Sequence, residues 1–158
     1  MNQLDQLKSK WLSENIKLPL PASDEEILLF QSNNKIFLPE DIITYFKIIN
    51  GTGDEYDGSL YQFYSISQVK KLQEEYKDWE GIPDYKNIFN TLDESENYYV
   101  FANYSFHLFS YVIKLYSDSS ADNEILVLCG GEFNKIANSF SEFLELYKGD
   151  SIELQFNK

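Results

Sequence analysis

The chain has 158 residues, 26 acidic side chains against 13 basic ones, and a formal charge of −13. With 43% hydrophobic residues it can bury a core without disulfide staples, and its one cysteine, Cys129, excludes an intramolecular disulfide. The acidity argues against direct binding to nucleic-acid phosphates or anionic membranes.

All 13 basic residues are lysines, so mechanisms built on a bidentate guanidinium are excluded. Residues 1–13 are polar and charged, without a signal-type apolar stretch, and a cytoplasmic location is the expectation. Asn50-Gly51-Thr52 and Asn103-Tyr104-Ser105 fit the glycosylation pattern and are read as chance.

In chain order, Leu4, Leu7, Trp11 and Leu12 share a helical face and predict a first helix over 4–13, broken by Leu18-Pro-Leu-Pro21. Ser23 and Glu26 form a capping box, each side chain taking a backbone N–H, and open a second helix to about Ser32. Ile27, Leu28 and Phe30 are its apolar residues. Leu38-Pro39-Glu40-Asp41 starts a third, with proline at the first turn and acids at the positive end of the dipole. Ile42, Ile43, Phe46 and Ile49 form its stripe, and Asn50-Gly51 closes it.

Leu60–Ile66 reads as a strand, Ser67 to about Trp79 as a helix with Val69, Leu72 and Tyr76 on one side, and Gly81–Asn97 as irregular. Strands are predicted at Tyr98–Asn103, Leu108–Tyr116 and Ile125–Cys129, with Ser117–Asn123 as the hairpin loop between the last two. Gly130-Gly131 turns the chain into a short strand, Phe133–Ala137. Ser139 and Glu142 form a second capping box and open a closing helix with Phe140, Phe143, Leu144 and Tyr147. The order predicts an α+β fold over residues 1–158 as one domain, with a largely antiparallel sheet of about five or six strands flanked by helices.

Three segments carry a resemblance. Leu38-Pro-Glu-Asp-Ile-Ile-Thr-Tyr-Phe-Lys-Ile-Ile-Asn-Gly51 is similar to an "LP, helix, N-G" signature. Tyr99-Val-Phe-Ala102 sits where a V-F-A core strand is expected, and Ile136-Ala-Asn-Ser-Phe-Ser-Glu-Phe-Leu144 is similar to a closing "IA-sF-eFL" step. Together, over a core of residues 23–147, they resemble the SUKH superfamily, in particular its Smi/Knr-like group. The resemblance implies a binding protein with no shared catalytic motif. Bacterial members look like immunity proteins that neutralise delivered toxins, many of them nucleases or deaminases, and fungal relatives regulate wall synthesis and signalling. Here the turn after Asn50-Gly51 is unusually acidic, which leaves the partner's identity open.

Catalytic patterns are weak. His107 is the only histidine, and the pair it would form with Cys129 is demanded by nothing in the pattern; a turn histidine and a buried strand cysteine account for both. Zinc would have to rely on carboxylates, and no metal or cofactor is expected. Gly51-Thr-Gly-Asp-Glu-Tyr-Asp-Gly58 follows a helix, lacks Gly-Lys-Ser/Thr and carries three acids, so it does not cradle phosphate. It is not an EF-hand, since the twelfth position from Asp54 is Ser65. It reads as a flexible turn. Carboxylate pairs are too abundant to single out a glycosidase-like couple.

Charge is concentrated in residues 51–100, which hold 11 acids against 4 lysines, −7 of the −13. Aromatic residues lie among these acids, a mixture that suits a protein interface in which rings anchor and charge steers. The candidate protein-binding residues are Asp54, Glu55, Tyr56, Asp57, Tyr61, Trp79, Glu80, Asp93, Glu94 and Glu96. In the first reading the carboxylates occlude basic residues of a nuclease-like toxin domain, and Tyr56, Tyr61 and Trp79 are buried as anchors. The second reading is a scaffold or regulatory module of the same fold, discriminated by gene context. The third is an enzyme using Cys129 or His107, discriminated by Cys129→Ser and His107→Ala. A solvated acidic face that maintains solubility accounts for the charge without a partner.

Overall fold

Three nearly uninterrupted apolar runs become the middle of one sheet because both of its faces are covered. In the computed structural model, which describes residues 2–118 and 122–157, these runs are β3 (Tyr98–Tyr104), β4 (Phe109–Lys114) and β5 (Ile125–Cys129), and almost all their residues are buried. The other strands are β1 (Tyr61–Phe63), β2 (Lys70–Lys71) and β6 (Glu132–Ala137). The described residues form a six-stranded sheet, all antiparallel, ordered β1-β3-β4-β5-β6, with β2 pairing β3 beside β1. This is the expected α+β architecture. The Ser117–Asn123 loop includes residues 119–121, which lie outside the described residues.

The helices are α1 (Gln3–Ser13), α2 (Asp24–Asn34), α3 (Glu40–Ile48), α4 (Leu72–Tyr76), α5 (Ile88–Thr91) and α6 (Phe140–Lys148). The Ser23–Glu26 capping box forms with both bonds at 3.1 Å. At α6 Ser139 accepts the Glu142 N–H as expected, but the Glu142 carboxylate takes the Asn138 N–H, one residue outside the box. Pro39 is the residue just before α3, and Asn50 and Gly51 are both left-handed beyond its end.

One sheet face is aromatic and lies under α6. Phe143 packs 5.0 Å from Phe101 and 5.3 Å from Tyr111, while α1 brings Trp11 to 5.0 Å from Phe63. Burying Phe143 completely stabilises the fold by roughly 2–3 kcal/mol. Tyr111 and Ser110 alternate across the strand, so Ser110 faces the other layer, where α4 places Tyr76 to bond it. Tyr76 stacks on Tyr85 at 4.2 Å. A register shift between Val100 and Ala102 leaves Phe101 as the extra residue, and its carbonyl accepts the Tyr64 N–H at 2.8 Å.

The expected helix over 67–79 is cut to five residues. Lys70 and Lys71 pair with Val100 and Tyr99, and ladder bonds to β3 replace helical ones. The region expected to be irregular contains α5 and two 3-10 turns, Tyr85–Asn87 and Ser95–Asn97. Leu12 and Leu28, placed on apolar faces by spacing, are exposed. No helix among the described residues is long and apolar enough to cross a membrane.

Candidate protein-interaction surface

Three segments meet over Asn103 where β1 begins, β3 ends and β4 begins: the loop before β1, the β3–β4 turn and the chain after α4. The loop is not the flexible turn its glycines suggest. Buried Thr52 sends its N–H to the Phe63 carbonyl and takes the Phe63 N–H on its hydroxyl, both at 2.9 Å, while that hydroxyl donates to the Glu55 carbonyl at 2.8 Å. Asp57 is only 4% exposed. One of its oxygens accepts the N–H groups of Ser59 (2.8 Å) and Tyr61 (2.9 Å), and the other accepts the Tyr147 hydroxyl.

Asp54 and Glu55 are exposed. They line a groove of about 670 Å³ with Lys17, Pro19, Ser65 and Gln68. Asp54 accepts Gln68 Nε2 at 2.9 Å, and Glu55 accepts the Lys17 N–H. Tyr56 is half-buried and gives its hydroxyl to Asn103 Oδ1 at 2.9 Å. Burial pushes its phenol above the ordinary value. Trp79 is half-buried, donates its indole N–H to the Pro83 carbonyl at 2.8 Å, and packs 5.2 Å from the His107 ring; Glu80 beside it is exposed.

Two parts of the expected surface fall elsewhere. Tyr61 is buried between Tyr104 (4.9 Å) and Tyr147 (5.4 Å), and Asp57 is buried below it, so neither presents a side chain to a partner. Both serve the loop because their spacing places them on the inward side of the β1 approach. Asp93, Glu94 and Glu96 are exposed at the opposite end of β3, where Glu94 pairs with Lys114. Seven residues of strand, roughly 20 Å, separate them from the β3–β4 turn against which Trp79 packs. Charge contiguous in sequence is thus divided between two ends of the sheet.

Sequence reading missed the centre of this surface. Glu75 accepts the Tyr64 hydroxyl and lies 3.8 Å from His107 Nε2, which is 3.3 Å from the Tyr64 oxygen. Burial, reinforced by Glu75, pushes the Tyr64 phenol far up, so it stays a donor. Asn103, fully buried, accepts the His107 N–H at 3.2 Å and gives its amide to Gln62 at 2.9 Å. The cluster orients the imidazole beneath a turn whose tip, Phe106, is 69% exposed and 4.5 Å from the Tyr56 ring. The available signal was an aromatic pair, Phe106-His107, at a hairpin tip with no Gly, Asn or Pro.

Around this surface, residues 53–60, 74–80 and 104–108 carry seven acids and one lysine, Lys77, which pairs with Glu74 at 3.3 Å. Among the described residues, no group of three or more His, Cys, Asp or Glu side chains is placed to hold a metal ion. Asn50 and Asn103 of the two glycosylation patterns are both buried.

A helix-flanked antiparallel sheet of this order defines the class as an α+β domain. The model of the SMI1/KNR4 family (SUKH-1) matches residues 21–146, and the chain belongs to that family. No curated protein matches it.

Proposed function

We propose that this chain is a non-enzymatic, immunity-type protein of a bacterial cytoplasm that binds and neutralises a toxin domain with a basic, nuclease-like surface. The observation that carries the reading is the mixture of exposed acids and half-buried rings on these segments: Asp54, Glu55 and Glu80 are exposed and Tyr56 and Trp79 are half-buried, while Lys77 is paired with Glu74 and Lys17 lines the groove beside Asp54 and Glu55. Carboxylates in that position meet the lysines or arginines with which such a toxin holds its substrate, and block them. Asp93, Glu94 and Glu96 then act in long-range steering rather than in contact.

The test is co-expression with the polypeptide encoded beside this gene. Protection of cells and a complex whose association rate falls steeply with salt are expected. Absence of protection overturns the immunity reading, and a salt-independent rate overturns the electrostatic part. A second exposed apolar surface, on α2 and the segment after it, with Leu28 and Phe37 lining a depression of about 510 Å³, favours a scaffold with several partners as the alternative. That reading requires modest affinities for more than one protein and no protection.

A further inference from the structure

Resting on that reading, we propose that the β3–β4 turn is a rigid, preformed anchor, and that Phe106 at its tip takes a cationic side chain, Lys or Arg, from the partner protein. Three observations lead there. The first is exposure. Phe106 stands out of the surface, and Leu60 (43%) and Leu108 (42%) beside it are also open, so this end of the sheet presents apolar area that the fold itself does not use.

The second is conformation. Ser105, Phe106 and His107 are all left-handed, with φ of 50°, 55° and 71°, a region that Phe rarely adopts and that Gly or Asn would occupy at little cost. The strained backbone is held from below at four points. The Ser105 N–H donates to the Leu60 carbonyl at 2.8 Å, and the His107 N–H donates to buried Asn103. The Tyr85 hydroxyl donates to the carbonyls of His107 (2.6 Å) and Leu108 (3.2 Å). Asn103 also fixes Tyr56, whose ring supports that of Phe106. A ring held in this way loses little freedom on binding, which is the condition under which an exposed aromatic residue contributes most to affinity.

The third is charge. The Glu75 carboxylate lies 3.8 Å from His107, the neighbour of Phe106, and exposed Glu80 follows Trp79, whose ring is 5.2 Å from that of His107, so acids flank the apolar centre on this side. An acidic rim about an aromatic face fits a cationic side chain, whose stem packs on Phe106 while its charge meets the carboxylates and the ring's negative face.

The experiment has two arms. In the first, Phe106→Ala and Phe106→Gly are measured against the neighbouring gene's polypeptide. A loss of affinity of roughly 30-fold or more, mainly through faster dissociation, is expected for both, with unchanged circular dichroism. The glycine variant, which relaxes the turn, melts no lower than the parent. In the second arm, ring resonances of Phe106 and Tyr56 are followed while Nα-acetylated arginine amide, and then its neutral isostere Nα-acetylated citrulline amide, is titrated at low salt. Shifts with arginine amide alone are expected. If the polypeptide binds and the Phe106 variants bind within twofold of the parent, the anchor is overturned and the proposed function stands. If the polypeptide does not bind and arginine amide still shifts both rings, the function is overturned and the cationic site stands. Equal shifts with citrulline amide, or none with either, overturn the cationic site.

Discussion

The Tyr147 hydroxyl on α6 donates to the carboxylate of Asp57 in the loop before β1, and the same phenolic oxygen accepts the Trp11 indole N–H from α1 at 3.0 Å. One buried oxygen thus joins the first helix, the last helix and the acidic loop. Burial, and then the adjacent Asp57, push the Tyr147 phenol above the ordinary range, so it remains the donor. Asp57 is therefore part of the framework that holds exposed Asp54 and Glu55 in place.

Removing this carboxylate strands three donors, the N–H groups of Ser59 and Tyr61 and the Tyr147 hydroxyl. Asp57→Ala is expected to destabilise the chain by about 3 kcal/mol. Asp57→Asn retains an acceptor for the two backbone groups and should cost about half as much. Urea denaturation checks both. A stability loss below about 0.5 kcal/mol for the alanine variant contradicts the role.

Much of the fold was legible because local signals agreed with tertiary ones. The Leu38–Gly51 segment carries its start signal, apolar stripe and stop, and Ile42, Phe46 and Ile49 are buried as the spacing requires. Its Asn50-Gly51 pair proves to be a crossing point. The Asn50 amide donates to the Leu20 carbonyl and its oxygen accepts the Ile66 N–H, while a Cβ on left-handed Gly51 would sit 2.5 Å from the Phe63 oxygen. What failed was what depends on distant pairing. Val69, Leu72 and Tyr76 are spaced as a helix, yet the chain between the first two belongs to a ladder with β3. Charge density along the chain located Asp54, Glu55 and Glu80 on the surface but could not separate them from buried Asp57 or from Glu94 across the sheet. Phe106 escaped notice because three left-handed residues without glycine leave no turn signature.

Tyr45 is fully buried on α3, its ring 4.7 Å from that of Phe140, and its hydroxyl has no hydrogen-bond partner among the described residues. An unsatisfied buried hydroxyl costs about 1–3 kcal/mol relative to an apolar group of the same shape. Tyr45→Phe is accordingly expected to raise stability by about 1 kcal/mol, read as a higher denaturation midpoint at unchanged slope. A lower midpoint would show that the hydroxyl is satisfied after all.

The tyrosines also set the alkaline limit of the fold. Ten of the twelve, Tyr45, Tyr56, Tyr61, Tyr64, Tyr76, Tyr85, Tyr98, Tyr99, Tyr111 and Tyr147, have phenols pushed above the ordinary value, with burial as the first cause in each. Because the folded value exceeds the unfolded one, their contribution is complete below about pH 10 and is lost as pH rises, the unfolded chain releasing its protons first. Each fully protected phenol steepens the loss by up to about 1.4 kcal/mol per pH unit, so several acting together remove an ordinary folding stability within one or two units. Alkaline titration should therefore show a cooperative transition above about pH 10, in which phenolate absorbance and the loss of far-ultraviolet dichroism rise together. A gradual phenolate signal centred near the free-tyrosine value, with dichroism preserved, would mean that the phenols are solvated in the folded chain.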